Sequence, residues 1–345
     1  MSENAYKGFR QDELEFQFNP RVSVPEYPEL AKVRAAQARK VRESAKSWLN
    51  VAYGSSPREM LDIYAADQPG GPVLVYIHGG YWRSGSKEDN CNFVPAFTRR
   101  GATAVLVEYD LCPQVTVTDI VRQTRTAIGW TYKNILRYGG DPSKLFVSGH
   151  SAGGHLTAMA LAHDWENEGL PRDIIKGAVA TSGVYDLDVV MRISVQEQVR
   201  LTPELAKLNS PFRTPPRVKC PLVVAVGGVR AQGLAADVGR LFSVLQEQRH
   251  ERRLSHRARR QSLHHVGAFA RRFAAADPGH APTDAVASRR FKGLIHHAEG
   301  ESTDRRRPAA SLRAACCAER MRSYEVTSHQ FLLTSLIKKC ARPLV

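Results

Sequence analysis

Ser151 stands in Gly149-His150-Ser151-Ala152-Gly153, between the apolar run Leu145-Phe146-Val147 and an Ala-, Leu- and Met-rich stretch from Ala152 to His163. The first run reads as a short buried strand and the second as a helix. Glycines on both sides of the serine permit a sharp strand-to-helix turn, with the hydroxyl exposed at its tip and the helix N-terminus pointing at it. That arrangement suits a nucleophile for acyl transfer. Such a nucleophile also needs a base, a group that orients the base, and donors for the oxyanion. The N–H of Ala152, next after the serine, supplies one donor. Earlier in the chain, His78-Gly79-Gly80-Tyr81-Trp82 follows the continuous apolar run Val73-Leu74-Val75-Tyr76-Ile77. Gly79 and Gly80 can turn backbone N–H groups toward the same point, with no side chain to block the acyl group. His78 is expected to tie down that loop rather than act as base. Tyr81 and Trp82 either wall an acyl pocket or pack in the core.

The elements that must position these groups follow from periodicity. Asp12 to Pro28 reads as a polar lead-in, and Glu29 to Leu49 as an amphipathic helix with a solvated basic face. Val51–Tyr53 and Met60–Tyr64 read as edge strands around the Gly54-Ser55-Ser56-Pro57 turn. Val73–Ile77 suits a central strand buried on both faces. Asp89 to Arg100 is predicted as a helix, Thr103 to Glu108 as a strand, and Thr118 to Tyr138 as a long helix closed by Gly139-Gly140-Asp141-Pro142. Gly177–Thr181 and Cys220–Val226 read as further buried strands, with a helical excursion from Leu187 to Leu208 between them. Strands alternating with helices predict an α/β fold, a mostly parallel sheet with helices on both faces.

Composition divides the chain near Gly228. Its net charge is +15, yet residues 1–228 hold 27 Lys and Arg against 24 Asp and Glu. Residues 229–345 hold 22 against 10, and 19 of those 22 are Arg. The same segment has no Trp and no Asn, a single Tyr, and 8 of the 12 histidines. No run of 18 apolar residues exists and the N-terminus is polar, so a cytoplasmic location with no membrane contact is expected. The six cysteines, Cys91, Cys112, Cys220, Cys316, Cys317 and Cys340, show no metal spacing and read as free thiols.

Over about residues 10–228 the sequence resembles the α/β-hydrolase superfamily, in its arylformamidase (kynurenine formamidase) and carboxylesterase-like branch. The resemblance is carried by His78-Gly79-Gly80-Tyr81-Trp82-Arg83-Ser84-Gly85-Ser86-Lys87 and by Gly149-His150-Ser151-Ala152-Gly153-Gly154-His155-Leu156. Glu108-Tyr109-Asp110-Leu111-Cys112-Pro113 and Ser182-Gly183-Val184-Tyr185-Asp186-Leu187 add to it. It implies metal-free and cofactor-free hydrolysis of an aryl formamide or small ester. Ser151 would form the acyl-enzyme, and Gly79, Gly80 and Ala152 would hold the oxyanion. An α/β-hydrolase domain over 1–228 is therefore expected, with a fold incomplete at its C-terminal end and an atypical, poorly ordered tail over 229–345. Homo-oligomerisation is left open.

The family places its triad Asp just after the strand that matches Cys220–Val226, and its His in an Asp-His-Phe-type loop. This chain continues Gly227-Gly228-Val229-Arg230-Ala231-Gln232-Gly233, and no Asp-His-Phe follows. Candidate bases are His280, His264 and His265, and candidate acids are Asp237 and Asp186. Three readings result. The first is a serine hydrolase of small esters or aryl formamides. The second is a catalytically impaired homologue without the triad Asp and His. The third is nonspecific polyanion binding by the tail, through runs such as Arg305-Arg306-Arg307, without specific nucleic-acid recognition. An Arg-rich, Asn-free and Trp-free segment is what a GC-rich gene yields out of frame. The prediction is that the gene carries an alternative frame beyond codon 228 that restores an acid and an Asp-His-Phe-like loop. Sequencing that finds no such frame would overturn the hypothesis.

Overall fold

In a computed structural model, residues 6, 8–214, 216–226, 233, 236 and 241 are described. The polar lead-in holds a helix, α1 (Gln11–Phe18), whose Leu14 and Phe18 are buried. Two apolar residues four apart are enough to seat a short helix, and the polarity of the rest conceals it in the sequence. The expected helix over 29–49 is α2 (Tyr27–Ser44), with Pro28 in its first turn, where its missing N–H costs nothing. It ends before Trp48, because the chain there turns into the edge strand β1 (Ser47–Ala52). β2 (Met60–Tyr64) pairs antiparallel with β1 and with β4 (Thr103–Val107).

β3 (Gly71–Ile77) runs parallel to β4 on one side. On its other side it runs parallel to β5 (Gly140–His150). Among the described residues the sheet has seven strands in the order β1-β2-β4-β3-β5-β6-β7, with β6 (Gly177–Thr181) and β7 (Leu222–Ala225) at its far side. The chain leaves β3 for β4 and later returns on the far side of β3 as β5. The carboxyl ends of β3 and β5 therefore flank the switch point, where open α/β sheets bind ligands.

Both faces of the sheet are covered. Val73, Val75 and Ile77 of β3 enter one apolar cluster, while Leu74 and Tyr76 enter the other, as strand alternation requires. α3 (Val117–Asn134) starts at Thr116, whose side chain accepts from the Asp119 N–H while Asp119 reaches back to the Thr116 N–H. α4 (Ala152–Leu161) is buried along its whole length, which explains its lack of a polar face. The helix expected over 89–100 is split into a 3-10 turn (Glu88–Phe93) and a short helix (Pro95–Thr98), since Pro95 starts a helix better than it continues one. The 187–208 excursion is likewise three short turns rather than one helix. No helix among the described residues is long and apolar enough to cross a membrane.

Leu74 is fully buried in the middle of β3. Leu74→Ala is expected to destabilise the fold by about 2–5 kcal/mol, read as a lower midpoint in urea unfolding. A midpoint equal to that of the wild type would contradict the central placement of β3.

Candidate active site

β5 ends at His150, and α4 begins at Ala152, so Ser151 alone makes the turn between them. Its backbone lies at φ 56° and ψ −120°, a region non-glycine residues avoid. Two bonds hold it there. The Ser151 N–H donates to Thr181 O at 2.8 Å, and the Ser151 carbonyl accepts from the His155 N–H at 3.1 Å. The turn is pressed against the end of β3. A Cβ on Gly153 would overlap the Ile77 carbonyl, so only glycine admits this approach. A Cβ on Gly79 would lie 2.6 Å from His150 O and 3.0 Å from Ser151 Cβ. The loop after β3 thus touches the Ser151 turn directly, as the pairing Ile77↔Gly149 requires.

Among the described residues, none accepts a hydrogen bond from the backbone N–H of Gly79, Gly80 or Ala152. Ala152 is the first residue of α4, where the N–H has no intrahelical partner and the helix dipole favours negative charge. The Ser151 turn and these three donors are the groups expected from the sequence, brought to one end of the sheet.

The loop rests on a buried polar network in which His78 ties it down, as expected from the sequence, with Glu108 and Tyr109 as its partners. His78 has no solvent exposure. Its Nε2 lies 3.0 Å from Glu108 Oε1, its Nδ1 lies 2.8 Å from Gly79 O, and its ring stacks on Tyr109 at 4.2 Å. Arg58 donates to Glu108 Oε1 at 2.7 Å, to Tyr109 O at 2.9 Å and to Gly85 O at 3.1 Å. The Lys87 N–H donates to Glu108 Oε2 at 3.0 Å. Burial alone would raise the Glu108 carboxyl, but the bonds from His78 and the charge of Arg58 outweigh it and hold it below the ordinary carboxylate range. At the far end of the loop, the Lys87 ammonium is buried against Asp62, 3.1 Å away, and Asn50, 2.7 Å away. The signal that could have found the network was a Glu placed directly after the apolar run Ala104-Val105-Leu106-Val107.

Tyr81 and Trp82 resolve as packing residues. Trp82 is fully buried and donates from Nε1 to His155 Nδ1 at 3.2 Å, and the Tyr81 hydroxyl donates to Phe18 O. His155 in turn donates from Nε2 to Asn209 O at 2.7 Å. His163 pairs with Glu168 at 2.6 Å. His78, His155 and His163 are therefore held by partners other than Ser151. Asp186 is buried, accepts from the Tyr6 hydroxyl at 3.0 Å and caps the 3-10 turn Leu187–Arg192. Asp237, His264, His265 and His280 lie outside the described residues, as does the Arg-rich segment beyond position 228 apart from Gly233, Ala236 and Leu241.

A polar cleft of about 420 Å³ opens elsewhere, around Ser55, Ser56, Glu59, Asp110, Asp119 and Arg122. Ser151 does not line it, and its acids are already engaged. Glu59 accepts from the Ser55 and Ser56 N–H groups, Asp110 from Ser56 and Gln123, and Asp119 from Thr116. We read it as a satisfied surface cleft rather than the reaction site.

Comparison with known proteins agrees with this geometry. The BD-FAE family model matches residues 61–204. The chain is 34% identical to a kynurenine formamidase of Salmo salar over 235 residues, covering 64% of this chain and 78% of that protein. The chain belongs to the α/β-hydrolases, in their arylformamidase and carboxylesterase-like branch. It is a hydrolase of the ester or formamide type. A kynurenine formamidase of Danio rerio is 32% identical, again over 64% of this chain and 78% of that protein. Among solved structures, a candidate thioesterase of a Silicibacter species is 26% identical with a TM-score of 0.62, covering 68% of this chain and 87% of that one. An esterase of Pyrobaculum calidifontis, 19% identical with a TM-score of 0.53 over 66% of this chain and 80% of its own, shares the fold.

Burial pulls the His155 imidazole down to about 4, against the opposing bond to Asn209. Between its ordinary value of 6.5 and about 4, the unfolded chain binds a proton that the folded chain does not. Stability is therefore expected to fall as the pH is lowered through that window, by a total on the order of 3 kcal/mol from this residue. The check is urea unfolding of the wild type and His155→Gln at several pH values. Their difference in stability should change between pH 6.5 and 4, and a constant difference would contradict the buried neutral histidine.

Proposed function

We propose that this chain hydrolyses a small ester or an aryl formamide through an acyl-enzyme on Ser151. The observation that supports this most is the strained Ser151 turn beside three backbone N–H groups that no described residue accepts from. Ser151 Oγ attacks the substrate carbonyl and gives its proton to a base. The carbonyl oxygen becomes an oxyanion held by the N–H groups of Gly79, Gly80 and Ala152. Collapse expels the alcohol or arylamine, which takes the proton from the base. Water, deprotonated by the same base, then releases the acid and restores the serine. This route uses no metal and no cofactor. The substrate is a small molecule, and the place of action is the cytoplasm. The base and its acid are drawn from His280, His264 or His265 and from Asp237 or Asp186.

A second reading has one observation in its favour. His78, His155 and His163 are each held elsewhere, so the front of the chain supplies none of them as base. An impaired homologue would keep the nucleophile turn and the oxyanion donors without an activated serine. Loss of a Ser or His in a well-studied triad costs about 10⁶ in turnover, so the two readings differ by a readily measured margin.

The test is hydrolysis of a short-chain p-nitrophenyl ester and of an aryl formamide by the full chain and by Ser151→Ala. The proposal expects turnover by the wild type that Ser151→Ala lowers by about 10³ or more. Equal rates in the two proteins would reject the serine mechanism and favour the impaired reading.

A further inference from the structure

We infer that Tyr109 and Glu108 are positioning residues that aim the oxyanion donors from behind. The inference rests on the proposed roles of Gly79 and Gly80. In a trans peptide the C=O and the N–H of one unit point in opposite directions, so a bond to the carbonyl sets the direction of the N–H. The Gly79 N–H shares its peptide with the His78 carbonyl, and that carbonyl accepts from the Tyr109 hydroxyl at 2.9 Å. The Gly80 N–H shares its peptide with the Gly79 carbonyl, which lies 2.8 Å from His78 Nδ1. The first donor peptide is thus gripped on the side away from its N–H, and the second is gripped likewise when both ring nitrogens of His78 carry protons.

The two grips are coupled. The His78 ring stacks on Tyr109 with 8° between the planes, and its other nitrogen lies on Glu108. Glu108 is itself held by Arg58 and by the Lys87 N–H. The Gly79 carbonyl has room for His78 only because position 85 lacks a side chain. A Cβ on Gly85 would lie 2.5 Å from Gly79 O and 3.0 Å from His78 Nδ1. Tyr109 and Glu108 touch no reacting atom in this scheme. They act through the peptides, so their loss should change the transition state more than substrate binding.

Tyr109→Phe removes the hydroxyl and keeps the stacked ring. Outright loss of one oxyanion donor costs about 10²–10³ in turnover, so a misaimed donor should lower kcat by about 10–100-fold with KM within about twofold. Glu108→Gln should give the same split, and it serves if Tyr109→Phe fails to fold. Steady-state kinetics on a p-nitrophenyl ester, with Ser151→Ala in parallel, reads this. A Tyr109→Phe enzyme with unchanged kcat, or with only a raised KM, overturns the inference. Crystal structures of the wild type and Tyr109→Phe give a readout that needs no turnover. The inference expects the 78–79 peptide to rotate away from Ser151, and an unmoved peptide overturns it even if the wild type is inert. A wild type that turns over no ester, or a Ser151→Ala protein as active as the wild type, counts against the serine mechanism alone.

Discussion

The close approach of the Ser151 turn to the end of β3 is the constraint on which the rest depends. Gly153 lies against the Ile77 carbonyl, and Gly79 lies against the Ser151 turn, at distances no side chain would permit. Parallel pairing of β3 with β5 brings the two loops to one end of the sheet, and the glycines let them touch. The strained Ser151 backbone persists because both its N–H and its carbonyl are bonded, to Thr181 and to His155. The Ser151 turn and the loop of Gly79 and Gly80, the proposed nucleophile and oxyanion donors, then meet at one end of the sheet without any long-range adjustment.

Electrostatics supplies the stiffness. His78, Glu108, Arg58 and Lys87 are charged or polar groups drawn around one loop, and leaving any of them unpaired in the interior would be costly. Their mutual bonds secure the loop at both ends, through Glu108 at His78 and through Asp62 at Lys87. His155 and Trp82 do the same for the contact between the loop and α4. Rigid donors are worth more to an oxyanion than mobile ones, since they need no reorganisation as charge develops.

Much of this was legible in the sequence. The apolar run Val73–Ile77, the glycines around Ser151 and the strand Gly177–Thr181 each reflect a local rule, so the sheet and the strand-to-helix turn at Ser151 could be read directly. What escaped reading depended on contacts between distant residues. α1 looks polar because only Leu14 and Phe18 face inward. The strand at Trp48 looks like a continued helix because an edge strand buries too little to impose alternation. Tyr109 and Glu108 gain meaning only once His78 is seen beside them, 30 residues away in the chain for Glu108. The candidate bases and acids have no such local mark: His264, His265, His280 and Asp237 lie outside the described residues, and Asp186 is held by Tyr6 and caps a 3-10 turn.

The central claim is that Ser151 is an activated nucleophile. The most direct measurement is intact-mass and peptide mass spectrometry of the full chain after exposure to a fluorophosphonate, with Ser151→Ala alongside. The account predicts a single adduct on the peptide that carries Ser151, absent from the variant. An unlabelled wild type, or an adduct that survives in Ser151→Ala, would contradict it.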